Sequence, residues 1–501
     1  MTHHYDLLVV GGGVNGTGIA RDAAGRGLSV LLCEQHDLAA HTSSASTKLI
    51  HGGLRYLEQY EFSLVRKALQ EREVLLRSAP HIIWPLRFVL PHDLHHRPAW
   101  MIRIGLFFYD HLARRRRLPA SHGIRFAQHP AGAPLQPQFV RGFEYSDGWV
   151  DDARLVALNA LDAAERGARV LTRTRCVSLT RDATTWSAML QSDGSDSAAV
   201  TARAVVNATG PWVSDFLHTV APLQANHNIR LVKGSHIVTR RLFTHPFAYI
   251  FQNADKRIIF AIPYEQDFTL IGTTDVDQAV DPAHSKIDAA EINYLCENAS
   301  QYFRRAITPR DVVWSYSGVR PLLDDESGPA SNVTRDYSLE LDEDGAPLLS
   351  VFGGKITTFR KLAEQAVDKL AEPLHCRALA WTKRARLPGG DMRRGSFAAF
   401  LRKAAARYHW LPPALLHRYA RAYGTRIERL LHDAAAMSDL GEAVLDGLYA
   451  REIDYLRRNE WARTAEDILW RRSKLGLHLP AGSANILDGW IARYPLTTTA
   501  G

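Results

Sequence analysis

The sequence predicts an α/β protein whose first domain is wound around a parallel sheet. Three observations near the N-terminus predict this class: an apolar run at residues 5–10 (YDLLVV), a glycine cluster at 11–13, and a second apolar run at 28–33 (LSVLLC). Between the two runs, residues 14–24 have helical character and end at a Gly-Arg-Gly turn. Strand, glycine turn, helix and strand within about thirty residues form a βαβ unit.

The glycine cluster predicts a dinucleotide site of the Rossmann type. Gly11 permits the tight turn, Gly13 allows the backbone to approach a pyrophosphate, and Gly16 allows the helix and strand to pack closely. The helix N-terminus then offers amide groups to the phosphates. Glu34, at the end of the second strand, suits ribose hydroxyls and disfavours the 2′-phosphate of NADP. FAD and NAD share this pattern, and a glycine turn without any ligand is the plainest alternative.

Sequence patterns later in the chain again resemble those of the N-terminal dinucleotide-binding domain. Residues 61–79 have helical periodicity, and β-like runs between residues 230 and 274 predict an inserted antiparallel sheet. Strand-like runs that end at glycine turns recur at 204–210 (AVVNATG) and at 348–352 (LLSVF). The simplest arrangement is a binding domain assembled from separated segments.

Beyond residue 385 the chain predicts a helical region. Ala, Leu and Arg recur at helical spacing, and Trp461, Ala465, Ile468 and Leu469 form one apolar stripe. We therefore expect three units: a discontinuous FAD-binding domain (1–60, 141–220 and 335–384), a substrate-binding cap (61–140 and 221–334) and a C-terminal helical domain (385–501).

The amino-acid composition limits the classes of binding partner but does not identify a single one. The 501 residues are 46% hydrophobic and 23% charged, which is ordinary for a soluble globular protein. A net charge of +8 favours nucleic acid, a phosphorylated small molecule or an acidic lipid surface. The four cysteines lack metal-ligand spacing and fit a reducing compartment, so no metal is predicted. We see no secretory signal and no apolar stretch of about 20 residues, so a membrane-spanning protein is not expected.

A series of motifs then carries a family resemblance along nearly the whole chain. In order they read TSSASTKLIHGGLRY (42–56), RGFEYSDGWVDDARL (141–155), VVNATGPWV (205–213), KGSHIV (233–238), IGTTD (271–275), YSGVRPL (316–322), TRDY (334–337), FGGKITTFRKLAE (352–364) and EWARTAEDILWRR (460–472). They resemble the FAD-dependent (aerobic, quinone-linked) glycerol-3-phosphate dehydrogenases. The resemblance implies a Rossmann-like fold of the glycine-oxidase and D-amino-acid-oxidase type. It also implies FAD as cofactor and oxidation of sn-glycerol 3-phosphate to dihydroxyacetone phosphate, with electrons passed to ubiquinone or another membrane quinone.

The motifs suggest which residues hold the implied FAD. Serine and threonine hydroxyls between residues 42 and 56 suit pyrophosphate and ribitol oxygens, although they also fit an ordinary polar loop. Amides of the 353–357 turn, at a helix start, can face the flavin edge where negative charge accumulates on reduction. The predicted cofactor set is Gly11, Gly13, Asn15, Gly16, Glu34, Ser43, Ser44, Ser46, Thr47, Lys48, Ala208, Thr209, Gly210, Gly353, Gly354, Lys355, Ile356 and Thr357.

The substrate side requires cations for a phosphate dianion. Guanidinium suits phosphate because its planar fork donates two parallel hydrogen bonds. A lone arginine is usually a solvated surface charge, but arginines set between glycines and apolar residues, as in GGLRY and SGVRP, favour a buried site. The predicted substrate set is Arg55, Tyr56, Thr273, Thr274, Arg320, Arg335 and Lys355.

Oxidation of the alcohol also requires an acceptor for its hydroxyl proton. A base whose pKa lies near ambient pH points to histidine. His51 lies in the loop beside Arg55, and His236 lies in KGSHIV. Both remain candidates, as does water beside the catalytic cations Arg320 and Lys355, which would polarise the alcohol. With 22 histidines in the chain, either histidine also fits a purely structural role.

Residues 98–117 (PAWMIRIGLFFYDHLARRRR) raise the question of a membrane surface. Aromatic and apolar residues share one helical face before a run of four arginines, which suits an interfacial helix on anionic lipid. A core helix with a solvated basic end fits the same residues. The resemblance favours peripheral attachment at the cytoplasmic face of the inner membrane, with the cytoplasm as the alternative. The residues of this face are Trp100, Ile104, Phe107, Phe108 and His111.

Rival functions remain at this level. An oxidase for glycerol phosphate would use O2 in place of quinone, and an amino-acid oxidase of the same fold would need one arginine for a carboxylate. A basic nucleic-acid-binding protein without flavin would leave the glycine pattern and Glu34 unexplained. We expect no nucleic-acid partner, and a homodimer stays open.

Overall fold

The fold of this chain is given by a computed structural model. It describes residues 3–57, 60–93, 98–194, 197–223, 229–253, 255, 257–278, 281–323, 336–392 and 396–496. Two of the predicted substrate residues are affected: the side chain of Arg55 and the whole of Arg335 lie outside the described residues.

The strands are β1 (His3–Val10), β2 (Val30–Cys33), β3 (Leu49–Ile50), β4 (Ile83–His92), β5 (His122–Arg125), β6 (Arg141–Val150), β7 (Arg169–Leu171), β8 (Thr174–Arg181), β9 (Trp186–Ser192), β10 (Ala198–Asn207), β11 (Ile229–Arg240), β12 (Ala248–Gln252), β13 (Ile258–Tyr264), β14 (Phe268–Gly272), β15 (Val276–Asp277), β16 (Val312–Leu323), β17 (Ser338–Asp342), β18 (Leu348–Phe352), β19 (Ala443–Leu445) and β20 (Leu448–Tyr449). The α-helices are α1 (Val14–Gly25), α2 (Phe62–Ser78), α3 (Ala99–His111), α4 (Asp152–Glu165), α5 (Val213–Thr219), α6 (Ala289–Ser300), α7 (Phe359–Lys369), α8 (Phe397–Arg407), α9 (Pro413–Tyr423), α10 (Ile427–Leu430), α11 (Ala450–Asn459) and α12 (Ser483–Arg493).

The first sheet is the parallel sheet predicted from the N-terminus. β1 lies at its centre, flanked by β2 and then β7 on one side and by β10 and then β18 on the other, all in parallel. α1 packs against α4 and α7 on one face. Leu7 and Val9 point to that face and Leu8 to the other, and all three are fully buried because both faces of the sheet are covered. β1, β10 and β18 therefore all end at the same edge.

The second sheet contains the predicted inserted strands and is larger than predicted. β11, β14, β13 and β12 run antiparallel in that order, and β16 pairs with β11 along its length. β4, β6, β5 and β3 extend the sheet with residues from the first third of the chain. The predicted runs between residues 230 and 274 are antiparallel to one another, as expected. One parallel pairing joins them to the added strands, where Ala248 and Tyr249 of β12 pair with Phe88 and Val89 of β4.

The C-terminal region is helical, as predicted, and has its own apolar core around Tyr419, Leu456 and Ile468. The predicted stripe is only partly correct. Ala465, Ile468 and Leu469 are buried in this core, but Trp461 packs instead against the first domain. Trp461 has a positive φ of 56°, so it interrupts the helical phase between α11 and a π-helical turn at Asp467–Arg472.

α3 contains the aromatic run and leaves part of it exposed to solvent. Its buried side is formed by Ile102, Leu106 and Tyr109. Trp100 is 64% exposed and Phe107 57% exposed on the outer side. Within the described residues, no helix is both long enough and apolar enough to cross a bilayer.

Candidate active site

A cavity of about 870 Å³ opens where the two sheets meet. It gathers predicted residues from the ends of β1, β2, β10, β16 and β18 and from the loop after β2. The predicted residues that line it are Gly11, Gly13, Asn15, Glu34, Ser43, Ser46, Thr47, His51, Tyr56, Ala208, Thr209, Gly210, His236, Thr273, Arg320, Gly353, Gly354, Lys355, Ile356 and Thr357.

The glycine turn after β1 leaves no space for side chains at two positions. Gly11 has a φ of +115°, and a Cβ atom there would lie 2.4 Å from the carbonyl oxygen of Ala208. A Cβ atom at Gly16 would lie 1.9 Å from the carbonyl oxygen of Gly11. At Gly13 the only close neighbour of such an atom among the described residues would be the Ser43 hydroxyl, at 3.1 Å. Gly11 and Gly16 thus shape the turn, and Gly13 keeps its cavity side open.

The start of α1 combines a helix N-terminus with an unsatisfied polar atom. The Val14 amide donates to the Ser43 hydroxyl at 3.0 Å, and the Asn15 side-chain amide donates to the Gly353 carbonyl at 3.2 Å. The Asn15 Oδ1 atom is buried and has no hydrogen-bond partner among the described residues. A buried acceptor without a partner costs free energy, so this atom suits a donor from a bound cofactor. The glycine turn and the start of α1 therefore fit a dinucleotide such as FAD.

Glu34 is held at the end of β2 by backbone amides. Its two carboxylate oxygens accept from the amides of Gly12 at 2.6 Å and His36 at 2.8 Å. Burial raises the pKa of the Glu34 carboxyl, while these two amides act in the opposite direction. Its carboxylate is thus fixed at the cavity edge, in the position that the sequence predicted for a ribose contact.

The turn between β18 and α7 forms the other half of the cofactor wall, which we define as Gly11, Gly13, Glu34, Gly353 and Gly354. Gly353 and Gly354 have φ values of +75° and +108°, a region that favours glycine. This turn is followed, after residues 355–358, by α7.

Facing this wall is a second one made of side chains, the substrate wall, defined as His51, Tyr56, Thr273, Arg320 and Lys355. The Arg320 guanidinium pairs through Nη1 with the Asp275 carboxylate, and its Nη2 donates to the Thr273 hydroxyl at 3.0 Å. A Cβ atom at Gly234, on the adjacent strand, would lie 2.2 Å from Nη2. Glycine at that position therefore makes room for the guanidinium.

Lys355 and Tyr56 meet across the cavity. The Lys355 ammonium lies 4.1 Å from the centre of the Tyr56 ring, within cation–π distance. Gly53 has a φ of +74°, and a Cβ atom there would lie 2.2 Å from the Tyr56 ring. The glycine pair before Tyr56 thus allows the loop to fold the ring towards the lysine.

The two candidate histidines lie in different surroundings. The His51 amide donates to the Thr357 hydroxyl at 3.2 Å, which joins its loop to the turn at residues 353–357, named the flavin turn below. His236 is buried, with Nε2 at 3.0 Å from the Thr47 hydroxyl and its ring stacked on Tyr316. Burial, and then the charges of Arg320 and Lys48, lower the pKa of His236 well below its usual value. His236 is therefore neutral at physiological pH.

Comparison with known proteins decides the family. The sequence profile described as FAD dependent oxidoreductase matches residues 6–360, and the profile for the C-terminal domain of alpha-glycerophosphate oxidase matches residues 380–492. A glycerol-3-phosphate dehydrogenase from Pseudomonas aeruginosa is 56% identical over 477 residues, covering 95% of this chain and 92% of that protein. The chain belongs to the family of FAD-dependent glycerol-3-phosphate dehydrogenases. Its cofactor is FAD.

Three further proteins are similar to this chain, one in sequence and two in structure. A D-erythritol 1-phosphate dehydrogenase from Brucella abortus is 51% identical and covers 97% of both chains. The solved glycerol-3-phosphate dehydrogenase from Bacillus halodurans, complexed with FAD, gives a TM-score of 0.80 at 28% identity, over 98% of this chain and 90% of that one. A glycine oxidase from Geobacillus kaustophilus shares the fold alone, with a TM-score of 0.56 at 21% identity over 76% of this chain and 97% of that chain. The predicted fold class is confirmed.

Among the predicted site residues that the structure describes with their side chains, four do not line the cavity: Gly16, Ser44, Lys48 and Thr274. The Lys48 ammonium is buried against the Asp152 carboxylate at 2.8 Å, so its charge is already compensated. The Thr274 hydroxyl donates to the Glu291 carboxylate at 2.7 Å. The Ser44 hydroxyl donates to a backbone carbonyl of its own loop. The polar groups of these three side chains therefore bond to protein partners outside the cavity lining or within their own loop.

Sequence reasoning missed the acidic residues that hold the site. Asp275 orients Arg320, and Asp152 accepts from both Lys48 and the Ser46 hydroxyl. Both stood inside motifs of the glycerol-3-phosphate dehydrogenases, so a signal was present. A search for phosphate-binding cations alone passes over such carboxylates.

A third carboxylate, Asp37, ties the cofactor loop to the C-terminal region. Arg472 donates to both Asp37 oxygens at 2.7 Å, and Arg471 donates to one of them at 2.7 Å. All three side chains are buried. Asp37 follows Glu34 by three residues, so the loop after β2 is held by charges from residues more than 430 positions away in the sequence.

Proposed function

We propose that this chain oxidises the secondary alcohol of sn-glycerol 3-phosphate to dihydroxyacetone phosphate and passes the electrons to a membrane quinone. One observation carries the proposal: a single cavity is shared by a dinucleotide cradle and by a wall bearing Arg320 and Lys355. An arginine fork together with a lysine suits the dianion of a small phosphate ester. When bound, FAD supplies the acceptor for the hydride from the carbinol carbon.

Binding of the phosphate falls to Arg320 and Lys355 in this proposal. Asp275 and Thr273 hold the Arg320 guanidinium from one side, which limits the side-chain entropy lost on binding. Lys355 rests on the Tyr56 ring. Arg55 and Arg335 stay predictions for the same role.

For the hydroxyl proton we propose His51 as the acceptor. Charging His236 would place an imidazolium in a buried site beside Arg320 and Lys48, and its lowered pKa reflects that cost. His236 then serves as a neutral packing and hydrogen-bonding group against Thr47. His51 lines the cavity next to the flavin turn, which suits proton transfer at the reacting alcohol.

Contact with an anionic lipid surface fits the outer face of α3. Exposed Trp100, Ile104 and Phe107 form an apolar face of the kind that sinks into a headgroup layer. The arginine run 114–117 follows soon after the helix. Burial, and then the charge of Arg117, lower the pKa of Arg386, which adds a further cation near this run. Peripheral attachment would bring a lipid-dissolved quinone to the enzyme.

The three-part division of the chain is also a proposal. Strand β6 pairs with β4, β5 and β3 of the second sheet, which supports one change to the expected boundaries. We place the start of the second FAD-binding segment after Val150 and not at residue 141.

D-erythritol 1-phosphate is a second candidate substrate, because a relative 51% identical to this chain carries that substrate in its name. It shares the phosphate and a secondary alcohol, so the same cations would bind it. The lengths of the two carbon chains differ, and the two esters can therefore be compared directly on the same protein.

Anaerobic mixing of the purified holoprotein with each ester tests the proposal, with flavin bleaching as the signal. We expect bleaching with sn-glycerol 3-phosphate at a lower ester concentration than with D-erythritol 1-phosphate. Reoxidation by a short-chain quinone, compared with peroxide release in air, separates a dehydrogenase from an oxidase. A protein that retains flavin but is bleached by neither ester would contradict the proposed substrate class.

A further inference from the structure

The loop that carries His51 and Tyr56 is held from outside the cavity by a buried cluster. The Gly52 amide donates to the Tyr109 hydroxyl at 2.8 Å. The Tyr109 hydroxyl in turn donates to the Asp147 carboxylate, whose oxygens lie at 2.7 and 2.8 Å. Tyr109 lies on the inner side of α3 and Asp147 on β6, so two elements of the cap meet at one backbone amide.

Arg72 completes the cluster from α2. Its guanidinium donates to the Asp147 carboxylate at 2.5 Å and to the Ser146 carbonyl at 2.8 Å. Tyr109, Arg72 and Asp147 are 2%, 1% and 3% exposed, so the buried charge of the carboxylate is compensated inside the cluster. Burial, and then the Asp147 charge, raise the pKa of Tyr109 well above its usual value, which keeps its hydroxyl protonated as a donor.

The packing around Gly52 is as close as the hydrogen bonding. A Cβ atom at Gly52 would lie 2.5 Å from a Leu69 methyl carbon and 2.8 Å from the Tyr109 ring. The backbone of the loop therefore rests directly on the tyrosine. One residue earlier, the His51 amide is bound to Thr357 in the flavin turn. The loop backbone is thus hydrogen-bonded to the flavin turn through His51 and to Tyr109 through Gly52.

We propose that Tyr109 and Asp147 are positioning residues of the active site. They fix the backbone of residues 51–56, so that His51 and Tyr56 face the substrate in a defined geometry. The inference rests on the proposed function, because it takes this loop as part of the substrate site. Misplacing a reacting group by about 1 Å can lower a rate by roughly 100-fold, so a distant hydroxyl can have a measurable effect.

Tyr109→Phe tests the proposal by removing only the hydroxyl. The matched control is Tyr249→Phe, whose buried hydroxyl donates to the Ala131 carbonyl at 2.6 Å in the cap core. We expect Tyr109→Phe to lower the single-turnover rate of flavin reduction by sn-glycerol 3-phosphate about tenfold. Flavin content and melting temperature should change no more than in the control.

A double variant separates positioning from general destabilisation. In a His51→Gln background, Tyr109→Phe should lower the reduction rate by clearly less than tenfold, because one of the two side chains that it positions is absent. Equal rates for Tyr109→Phe and Tyr249→Phe, or fully multiplicative losses in the double variant, would overturn the proposal. Should Tyr109→Phe fail to fold, Asp147→Asn carries the same test with the same two outcomes. Wild-type protein that is not bleached by the ester would instead count against the proposed function itself.

Discussion

The cofactor wall of the cavity is built mainly from backbone, whereas the substrate wall facing it is built from polar and charged side chains. Gly11 and Gly16 leave no room for a Cβ atom, and Gly353 and Gly354 have positive φ values. Arg320 and Lys355, by contrast, reach the cavity on long side chains steered by Asp275 and Tyr56.

This difference separates two kinds of failure. A change in the backbone-built wall alters the shape of the turn itself, so it should remove the cofactor altogether. A change in the side-chain wall leaves the turn intact, so it should alter substrate binding or rate while FAD stays bound. Each prediction below either sharpens or breaks that distinction.

The largest effect is expected for Gly16→Ala. The new methyl group would lie 1.9 Å from the Gly11 carbonyl oxygen, so the turn or α1 must move. We expect colourless protein that fails to take up FAD, measured by flavin absorbance after gel filtration. Gly489→Ala, at a helical glycine with nothing described within 4 Å of the added atom, is the control and should stay yellow. A yellow Gly16→Ala protein would show that the turn behind the cofactor wall tolerates a side chain at this position.

Arg320→Ala should lower kcat/KM for sn-glycerol 3-phosphate by roughly 100-fold, since a hydrogen bond to a charged group contributes about 1.5–3 kcal/mol. Flavin content should not change. The control is Arg230→Ala, which removes a similar arginine–aspartate pair from the same sheet, outside the cavity. Loss of flavin in Arg320→Ala would break the distinction between the walls, and unchanged steady-state kinetics would remove Arg320 from the site.

The smallest effect concerns pH, where His236, in the cavity lining outside the two defined walls, and Glu34 of the cofactor wall should act with opposite signs. Burial and neighbouring cations lower the pKa of His236 in the folded protein, so below about pH 6.5 the unfolded chain binds a proton that the folded chain does not. Stability is then complete above that pH and falls by up to about 1.4 kcal/mol per pH unit on acidification. The raised pKa of Glu34 acts in the other direction.

Urea unfolding of holoprotein at pH 7.5, 6.5 and 5.5 measures this slope. His236→Gln should flatten it relative to wild type. An identical slope in both proteins would mean that His236 does not remain neutral in the folded state.

The same contrast explains what the sequence could predict. The cofactor wall follows from local spacing, because Gly11, Gly13 and Gly16 sit within one turn and Glu34 ends the next strand. Backbone geometry of this kind depends on near neighbours. The strands that meet at the cavity were predicted for the same reason.

Side-chain partners across long separations could not be predicted in this way. Lys48 looks like a cofactor ligand beside Thr47, but it has a φ of +61° and its ammonium meets Asp152, 104 residues away. The Arg320–Asp275 pair depends on β16 and β14 both flanking β11, which no local pattern encodes. Arg320 itself was identified because it stands in a family motif.

The buried ion pairs of Asp37 with Arg471 and Arg472 have a practical consequence for the design of truncated forms of this protein. Two sequence profiles divide the chain near residue 380, which invites removal of the second part. Truncation there would remove the two guanidinium groups that bind Asp37 in the loop after β2. It would also expose the surface of the first domain against which Trp461 packs. The boundary between the two profiles is therefore a feature of sequence comparison, because buried contacts in the folded protein cross it.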